Sequence, residues 1–103
     1  MTEEGNTAEA SQVFTLYQNA PNPFNPGTVI GYKLSQPEQV SLRIYDLLGR
    51  EVAALAEGIK DSGYHEAYWN GRDSTGNPAA SGVYLYRLET GCFSETKRMM
   101  LVR

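Results

Sequence analysis

Short stretches in which apolar and polar residues alternate are the feature that most limits how this chain can fold. In VSLRIYD, the side chains of Val40, Leu42 and Ile44 point one way while the residues between them point the other. The same period recurs in TVIGYKL and VYLYRLE, and turn-forming residues separate such stretches by about 8–12 residues. This spacing, with no clear helical period, predicts an antiparallel β-sandwich.

Other segments extend this pattern and set the expected limits of the fold. VFTLY gives a short first strand, and the glycine of DLLGRE allows a tight connection to EVAALAE, a return strand whose residues also favour a helix. The closing strand ETKRMMLVR is apolar on both faces, so we expect it inside the sandwich with both sides covered. The predicted fold is therefore all-β, an immunoglobulin-like antiparallel β-sandwich of about seven strands. It occupies residues 13–103 and follows a flexible linker at residues 1–12.

Charge and hydropathy exclude several classes of function. The formal net charge of -3 comes from nine Lys and Arg against twelve Asp and Glu, and three of the acidic residues lie in the first twelve positions. Residues 13–103 therefore balance nine against nine, which offers no basic footprint for nucleic acid or acidic lipid. No apolar run is long enough to span a bilayer. We expect no nucleic-acid partner and no integral membrane segment, and an isolated domain that is monomeric.

Candidate catalytic and metal-binding residues are few. Cys92 is the only cysteine, so no disulfide forms within the chain, and we expect it in packing or in a turn. His65 is the only histidine, and no metal-ligand spacing accompanies it. The loop around Asp73 is rich in oxygen ligands, but a tyrosine stands where an EF-hand needs glutamate, so Asp73 and Asn77 are expected to bond local backbone amides. The sequence therefore predicts no metal, no cofactor and no enzymatic activity.

An aromatic platform for stacking sugars is the main alternative that the residues themselves raise. Its members would be Tyr64, Tyr68, Trp69, Tyr84 and Tyr86. Aromatic side chains are also typical of β-strands and of sandwich cores, so the two interpretations differ in whether these rings face the core or the surface.

A corner rich in proline precedes the strand TVIGYKL. PNPFNP begins at Pro21 and places three prolines and two asparagines in six residues. Proline fixes φ and pushes the preceding residue toward extended geometry, so neither Asn22 nor Asn25 can continue a helix. We predict an ordered corner in which Pro21 and Pro23 set the path of the chain and Phe24 plugs the end of the sandwich.

Four segments in one order carry a resemblance to a known family. They are PNPFNP at 21–26, IYDLLGREV at 44–52, SGVYLYRL at 81–88 and the basic and apolar strand KRMMLVR. Together they resemble the C-terminal sorting domain of the type IX secretion system (type A, Por secretion tail) of the Bacteroidetes and related phyla. The positions that match the family motifs are Pro21, Asn22, Pro23, Phe24, Tyr45, Asp46, Gly49, Arg50, Gly82, Tyr84 and the residues from Lys97 to Arg103.

The resemblance implies a noncatalytic sorting module at the C-terminus of a larger exported precursor. The precursor would cross the periplasm and meet the outer-membrane type IX translocon and its processing peptidase, and the cargo would end at the cell surface or outside the cell. The cleavage point would lie in or beside residues 1–12. The candidate recognition element is the last strand, which a receptor could engage by strand addition or pocket contacts. Its residues are Lys97, Arg98, Met99, Met100, Leu101, Val102 and Arg103.

Physical chemistry also gives the motif residues architectural roles, and two alternatives stay open. Asp46 and Gly49 would shape a hairpin in which Arg50 bonds Asp46 or a carbonyl, and Gly82 would admit a close approach of backbone. The stretch WNGRDSTGNPAASGVYLYRL resembles the immunoglobulin-like domain of the flagellar hook-capping protein, which implies a scaffold role. A carbohydrate-binding accessory module of a secreted enzyme is the other alternative. PNPFNP and a chain that ends at the last strand favour sorting.

Overall fold

The fold is that of a computed structural model, which describes residues 13–91 and 93–103. The linker expected at residues 1–12 and Cys92 lie outside these ranges. The described chain contains seven strands: β1 (Phe14–Leu16), β2 (Thr28–Leu34), β3 (Glu38–Tyr45), β4 (Glu51–Lys60), β5 (Gly63–Trp69), β6 (Gly82–Glu89) and β7 (Ser94–Leu101). No helix within these ranges is long and apolar enough to cross a membrane.

The strands form two antiparallel sheets that pack face to face. The first sheet has the order β1-β2-β5, and the second has the order β4-β3-β6-β7. In the second sheet β3 pairs with β4 as a hairpin and also with the distant β6, which in turn pairs with β7. EVAALAE lies in β4, so the segment that also favoured a helix is a strand. The arrangement confirms the predicted immunoglobulin-like antiparallel sandwich.

Inward-facing residues of both sheets form one buried cluster. The two-residue period predicted most of them, because alternate side chains of a strand point to the same face. Its members are Phe14, Leu16, Phe24, Ile30, Tyr32, Leu34, Val40, Leu42, Ile44, Ala53, Trp69, Tyr84, Tyr86, Leu88, Met99 and Leu101. Trp69, Tyr84 and Tyr86 therefore face the core, and only Tyr64 and Tyr68 of the suggested sugar platform are exposed.

The closing strand differs from its prediction. We expected both of its faces to be covered, but β7 lies at the edge of the second sheet. Met99 and Leu101 face the core, whereas Met100 and Val102 are 43% and 46% exposed. The prediction was wrong because an uninterrupted apolar run does not reveal which of its two faces has a partner sheet.

The proline corner brings the chain to the edge of the second sheet and back. β1 and β2 both belong to the first sheet, and between them Phe24, within the corner, forms a parallel bridge with Leu101 of β7 in the second sheet. The Phe24 N–H donates to the Met100 carbonyl at 3.0 Å, and the Phe24 carbonyl accepts from the Val102 N–H at 3.0 Å. The Met100 N–H donates to the Asn22 side chain, so the backbone pairing of the corner with β7 begins at Phe24. The corner thus covers the last part of an otherwise exposed edge.

Replacing Phe24 with alanine should strongly destabilise the domain. The Phe24 side chain is 2% exposed and its ring centroid lies 5.6 Å from that of Trp69, so the substitution leaves a cavity in the core. We expect Phe24→Ala to lower the free energy of unfolding by about 3–5 kcal/mol, measured by urea denaturation.

The matched control is Phe93→Ala. Phe93 is 40% exposed, so its truncation should change the free energy of unfolding by less than about 1 kcal/mol. Equal losses in the two variants would contradict the role given to Phe24.

Candidate functional site at one end of the sandwich

The four sequence motifs come together at one end of the sandwich. The turn between β3 and β4 lies beside the start of β6, because Tyr45 pairs with Leu85. The end of β7 lies there too, because Leu101 pairs with Gly82 and bridges to Phe24 of the corner. The surface formed by residues 21–26, 46–50, 81–84 and 99–103 is named the motif end.

Three aromatic rings fill the inside of the motif end. The ring centroid of Trp69 lies 5.6 Å from that of Phe24 and 5.4 Å from that of Tyr84. Trp69 Nε1 donates to the Arg72 carbonyl at 2.9 Å, and the Tyr84 hydroxyl donates to the Ala80 carbonyl at 2.6 Å. Burial raises the pKa of Tyr84. Because both acceptors belong to the loop between β5 and β6, this loop and the aromatic rings form one unit.

Tyr86 fixes the chain just before the proline corner. Its hydroxyl donates to the Tyr17 carbonyl at 2.7 Å and accepts from the Asn19 N–H at 2.9 Å. Burial raises the pKa of Tyr86 to about 12. The Asn19 side chain then donates to Thr28 Oγ1 at 3.0 Å and to the Pro21 carbonyl at 3.1 Å. The path into the corner is therefore set by buried polar contacts from both sheets.

Arg103 ties the end of β7 to the loop between β5 and β6. Its Nε donates to the Ala79 carbonyl at 2.6 Å, another guanidinium N–H donates to the Gly71 carbonyl, and its backbone N–H donates to Ser81 Oγ at 2.9 Å. Gly71 has a φ of +79°, and a Cβ at this position would lie 2.5 Å from the Pro26 carbonyl oxygen. Corner, loop and Arg103 are therefore packed against one another.

Hydrogen bonds around Asp46 make the turn between β3 and β4 rigid. Asp46 Oδ1 accepts from the backbone N–H groups of Leu48 and Arg50, both at 2.9 Å, and Oδ2 accepts from Arg50 Nε at 2.8 Å. The Asp46 carbonyl accepts from the Gly49 N–H at 3.0 Å, and Gly49 has a φ of +86°. The backbone N–H of Arg50 is the largest influence that holds the pKa of Asp46 below its ordinary value, and the Arg50 guanidinium lowers it further.

Sequence reasoning missed two residues of this turn, Leu47 and Leu48. Both are exposed at its tip. The signal that could have found them is the presence of two adjacent leucines at turn positions where polar residues and glycine are usual.

Only part of the proposed recognition strand is accessible. Met99 and Leu101 are core residues and Arg103 is bonded to the loop. Arg98, Met100 and Val102 are exposed, and Met100 pairs with Val83 on the outer face of the second sheet. Lys97 is half-buried, with its Nζ 3.6 Å from a Glu95 carboxylate oxygen. The accessible element is therefore a row of alternate side chains.

The outer backbone edge of β7 is covered near the motif end and open beyond it. Asn22 Oδ1 accepts from the Met100 N–H at 3.0 Å, and Gln18 Nε2 donates to the Arg98 carbonyl at 2.7 Å. By the alternation of an antiparallel ladder, the backbone groups of Ser94 and Thr96 point to the same outer side. No hydrogen bond reaches them within residues 13–91 and 93–103. This open half is suited to strand addition.

Two further expectations from the sequence concern glycine and the loop around Asp73. A Cβ at Gly82 would meet nothing within 4 Å, so the predicted close approach is wrong; its φ of +152° is what favours glycine. Asp73 Oδ1 accepts from the N–H groups of Thr75 at 3.0 Å and Asn77 at 2.9 Å, which confirms its turn role. Asn77 instead donates its side-chain N–H to Thr75 Oγ1 at 3.1 Å. Among the described residues, no three His, Cys, Asp or Glu side chains gather as metal ligands.

The two exposed tyrosines of the suggested sugar platform lie over glycines, where the backbone carries no side chain of its own. Tyr64 lies over Gly31 and Tyr68 over Gly27, each in the space that a Cβ would need. Tyr17 lies beside Tyr64, with ring centroids 5.9 Å apart. Aromatic cover of a glycine in β2 and of another just before it accounts for this arrangement without a ligand.

Comparison with known proteins identifies the family of the domain. The sequence profile of the FlgD Ig-like domain matches residues 18–91, more than two thirds of the chain. The chain belongs to this family. A search of curated proteins returns no match.

Several solved bacterial proteins contain a domain with the same fold. Dimeric latent PorU from Porphyromonas gingivalis is 20% identical with a TM-score of 0.69, over 86% of this chain and 9% of PorU. PorZ from the same organism, an essential surface component of its type IX secretion system, is 29% identical with a TM-score of 0.60, over 91% of this chain and 12% of PorZ. FlgD from Xanthomonas campestris, linked to hook capping in flagellar assembly, is 18% identical with a TM-score of 0.59, over 91% of this chain and 72% of FlgD. The chain thus spans about a tenth of the length of PorU and PorZ.

Substitution of Gly71 tests whether the loop and the proline corner pack as one unit. Gly71 and Gly76 both have positive φ, but only at Gly71 would a Cβ meet backbone. We expect Gly76→Ala to lower the free energy of unfolding by about 1–2 kcal/mol, and Gly71→Ala to lower it by clearly more. Thermal and urea unfolding of the two variants would measure this. An equal loss of stability in the two variants would mean that the Pro26 carbonyl moves away from the added Cβ at no cost in free energy.

The pH dependence of stability tests the Asp46 network. Since the pKa of Asp46 is lowered in the folded state, its carboxylate stabilises the fold above about pH 4, and this contribution is lost as the pH falls through the lowered pKa. Asp46→Asn should therefore be less stable than the wild type at neutral pH, and the difference should shrink in acid. Urea unfolding across the pH range would show this.

The control for that experiment is Asp61→Asn. The exposed Asp61 side chain makes no hydrogen bond within the described part of the chain. A difference between Asp46→Asn and the wild type that stays constant with pH would contradict the role of the charge.

Proposed function

We propose that this domain is a noncatalytic secretion and sorting module that directs a larger cargo protein across the outer membrane through the type IX secretion system. The cargo supplies the activity, and the domain supplies a surface that the outer-membrane translocon and its processing peptidase recognise. In this proposal the precursor passes through the periplasm, the peptidase cuts in or near residues 1–12, and the cargo reaches the cell surface or the medium.

The convergence of the four motifs at the motif end is the observation that carries this proposal. PNPFNP pairs directly with the end of β7, and the turn at Asp46 lies beside the start of β6. A surface assembled from segments that are far apart in the chain exists only when the domain is folded. A receptor for this surface would therefore accept folded domains and reject unfolded ones. The similarity to PorZ, at 29% identity over 91% of the chain, supports a secretion context.

The exposed outer face and the open edge of β7 supply a second contact for the translocon. Arg98 and Met100 are exposed on its outer face, and Ser94 and Thr96 offer an open backbone edge. An added strand would gain main-chain hydrogen bonds there, while the positive charges of Lys97 and Arg98 favour an acidic segment.

A scaffold role in a flagellar hook cap is the second candidate function. Membership of the FlgD Ig-like domain family favours it, as does the match to 72% of Xanthomonas campestris FlgD. The two candidates differ in one measurable property, because only a sorting module exports an unrelated protein fused to it.

Fusion to a reporter tests the proposed function. We expect residues 1–103, joined to the C-terminus of a Sec-exported fluorescent protein, to bring it to the surface or the medium of a bacterium with a type IX system. A sibling strain without the translocon should retain it in the periplasm. Retention of a folded fusion in both strains would overturn the sorting function and favour the scaffold.

Charge reversal in the same fusion tests whether the basic residues of β7 act in recognition. The variant Lys97→Glu with Arg98→Glu should reduce export. Arg98 is exposed, and Lys97 is half-buried with one weak ion pair to Glu95, so the melting temperature should stay within a few degrees of the wild type. The matched control, Lys33→Glu with Lys60→Glu, makes the same change in net charge away from β7 and should be exported normally. Equal export of both variants would show that the charges of β7 do not contribute to recognition.

A further inference from the structure

Two leucine side chains at the tip of the turn between β3 and β4 lie outside the core formed by the described residues. Leu47 is 65% exposed and Leu48 is 79% exposed, and neither belongs to the core or to the residues packed against it. Single exposed apolar residues are common on protein surfaces. These two are adjacent, lie at the tip of a turn of the motif end, and occupy positions where turns usually have polar residues.

The turn that carries the two leucines is already rigid. Asp46 binds the backbone N–H groups of Leu48 and Arg50, and its own N–H donates to the Arg50 carbonyl at 2.9 Å. A side chain held on a fixed backbone loses little conformational freedom when it binds, so more of its burial appears as affinity. The arrangement has the properties of a preformed binding anchor, which is a small apolar element at the centre of an interface with polar groups around it.

The charges around the tip favour a protein pocket over a lipid surface. The carboxylates of Asp46, Glu51 and Asp73 line the cavity beside the turn, and they outnumber the guanidinium groups of Arg43 and Arg50, which pair with two of them. An excess of negative charge is repelled by anionic lipid headgroups. It is complementary to an apolar pocket with basic residues at its rim.

We propose that Leu47 and Leu48 insert into an apolar pocket with a basic rim on the protein that recognises the motif end. This inference rests on the proposed sorting function. It identifies the tip of the turn, in addition to β7, as an element that the translocon contacts, and it predicts that these side chains act in recognition without acting in folding.

The reporter fusion provides the test, with three variants beside the wild type. Leu47→Asn with Leu48→Asn removes the apolar anchor, and Leu47→Met with Leu48→Met keeps it apolar. Ile59→Asn is the matched control: Ile59 is 75% exposed and lies near the opposite end of β4, where Lys60 pairs with Glu38. Each purified domain is checked by its melting temperature, which should stay close to that of the wild type because the substitutions are exposed.

The asparagine pair should reduce export by about tenfold or more, since truncated anchors at the centre of an interface typically cost at least this factor in affinity. The methionine pair and Ile59→Asn should be exported at the wild-type level. If the asparagine pair is exported like the wild type, the inference is wrong and the proposed function stands. If the wild-type fusion is not exported, the proposed function fails and the inference fails with it.

Sedimentation with lipid vesicles separates a protein pocket from a membrane surface. The purified domain should stay in the supernatant with vesicles of phosphatidylcholine and with vesicles that contain phosphatidylglycerol. Sedimentation of the wild type, but not of the asparagine pair, would show that the leucines insert into lipid and would overturn the protein pocket.

Discussion

The pairing of Phe24 with the end of β7 is the interaction on which the rest of the structure depends. Its backbone bonds to Met100 and Val102 attach the chain to the second sheet, although β1, only a few residues earlier, belongs to the first. Its ring lies against Trp69 in the core. One residue therefore joins the two sheets by main chain and by side chain, and covers part of an edge that would otherwise be open.

The polar groups around the Phe24 ring explain why the motifs occupy one end of the sandwich. A bulky aromatic interior needs partners for its indole and hydroxyl groups, and the loop after β5 supplies them through the carbonyls of Arg72 and Ala80. Arg103 then bonds the same loop. No buried side-chain nitrogen or oxygen in the described residues lacks a partner. The motif residues are therefore mostly architectural, and loss of export after changing Phe24 would report unfolding as much as recognition. Substitutions of exposed side chains test recognition more directly, because they leave the fold intact.

Local patterns predicted those parts of the structure that depend on neighbours in sequence. The two-residue period identified the core faces of β2, β3 and β6, and the turn chemistry of Asp46 and Gly49 predicted the hairpin. The edge position of β7 was not predictable in this way, because the apolar residues of a strand do not reveal which of its faces packs against a sheet. The convergence of the motifs and the exposure of Leu47 and Leu48 likewise follow from strand order, which is set by pairing between distant segments.

In the proposed sorting function, the geometry of β7 separates two contacts that a receptor would make at the same time. The corner covers the strand near Met100, while at its other end no described residue bonds the outward backbone groups of Ser94 and Thr96. Ser94 lies five residues before Met99, where β7 enters the motif end, so strand addition at Ser94 takes place about 17 Å from that end. A partner strand there leaves the leucine tip accessible. Two weak contacts on one rigid domain reinforce each other, because the first raises the effective concentration of the second. Correct spacing between the contacts requires both sheets to be assembled, so recognition at two points would favour the folded domain more strongly than either contact alone.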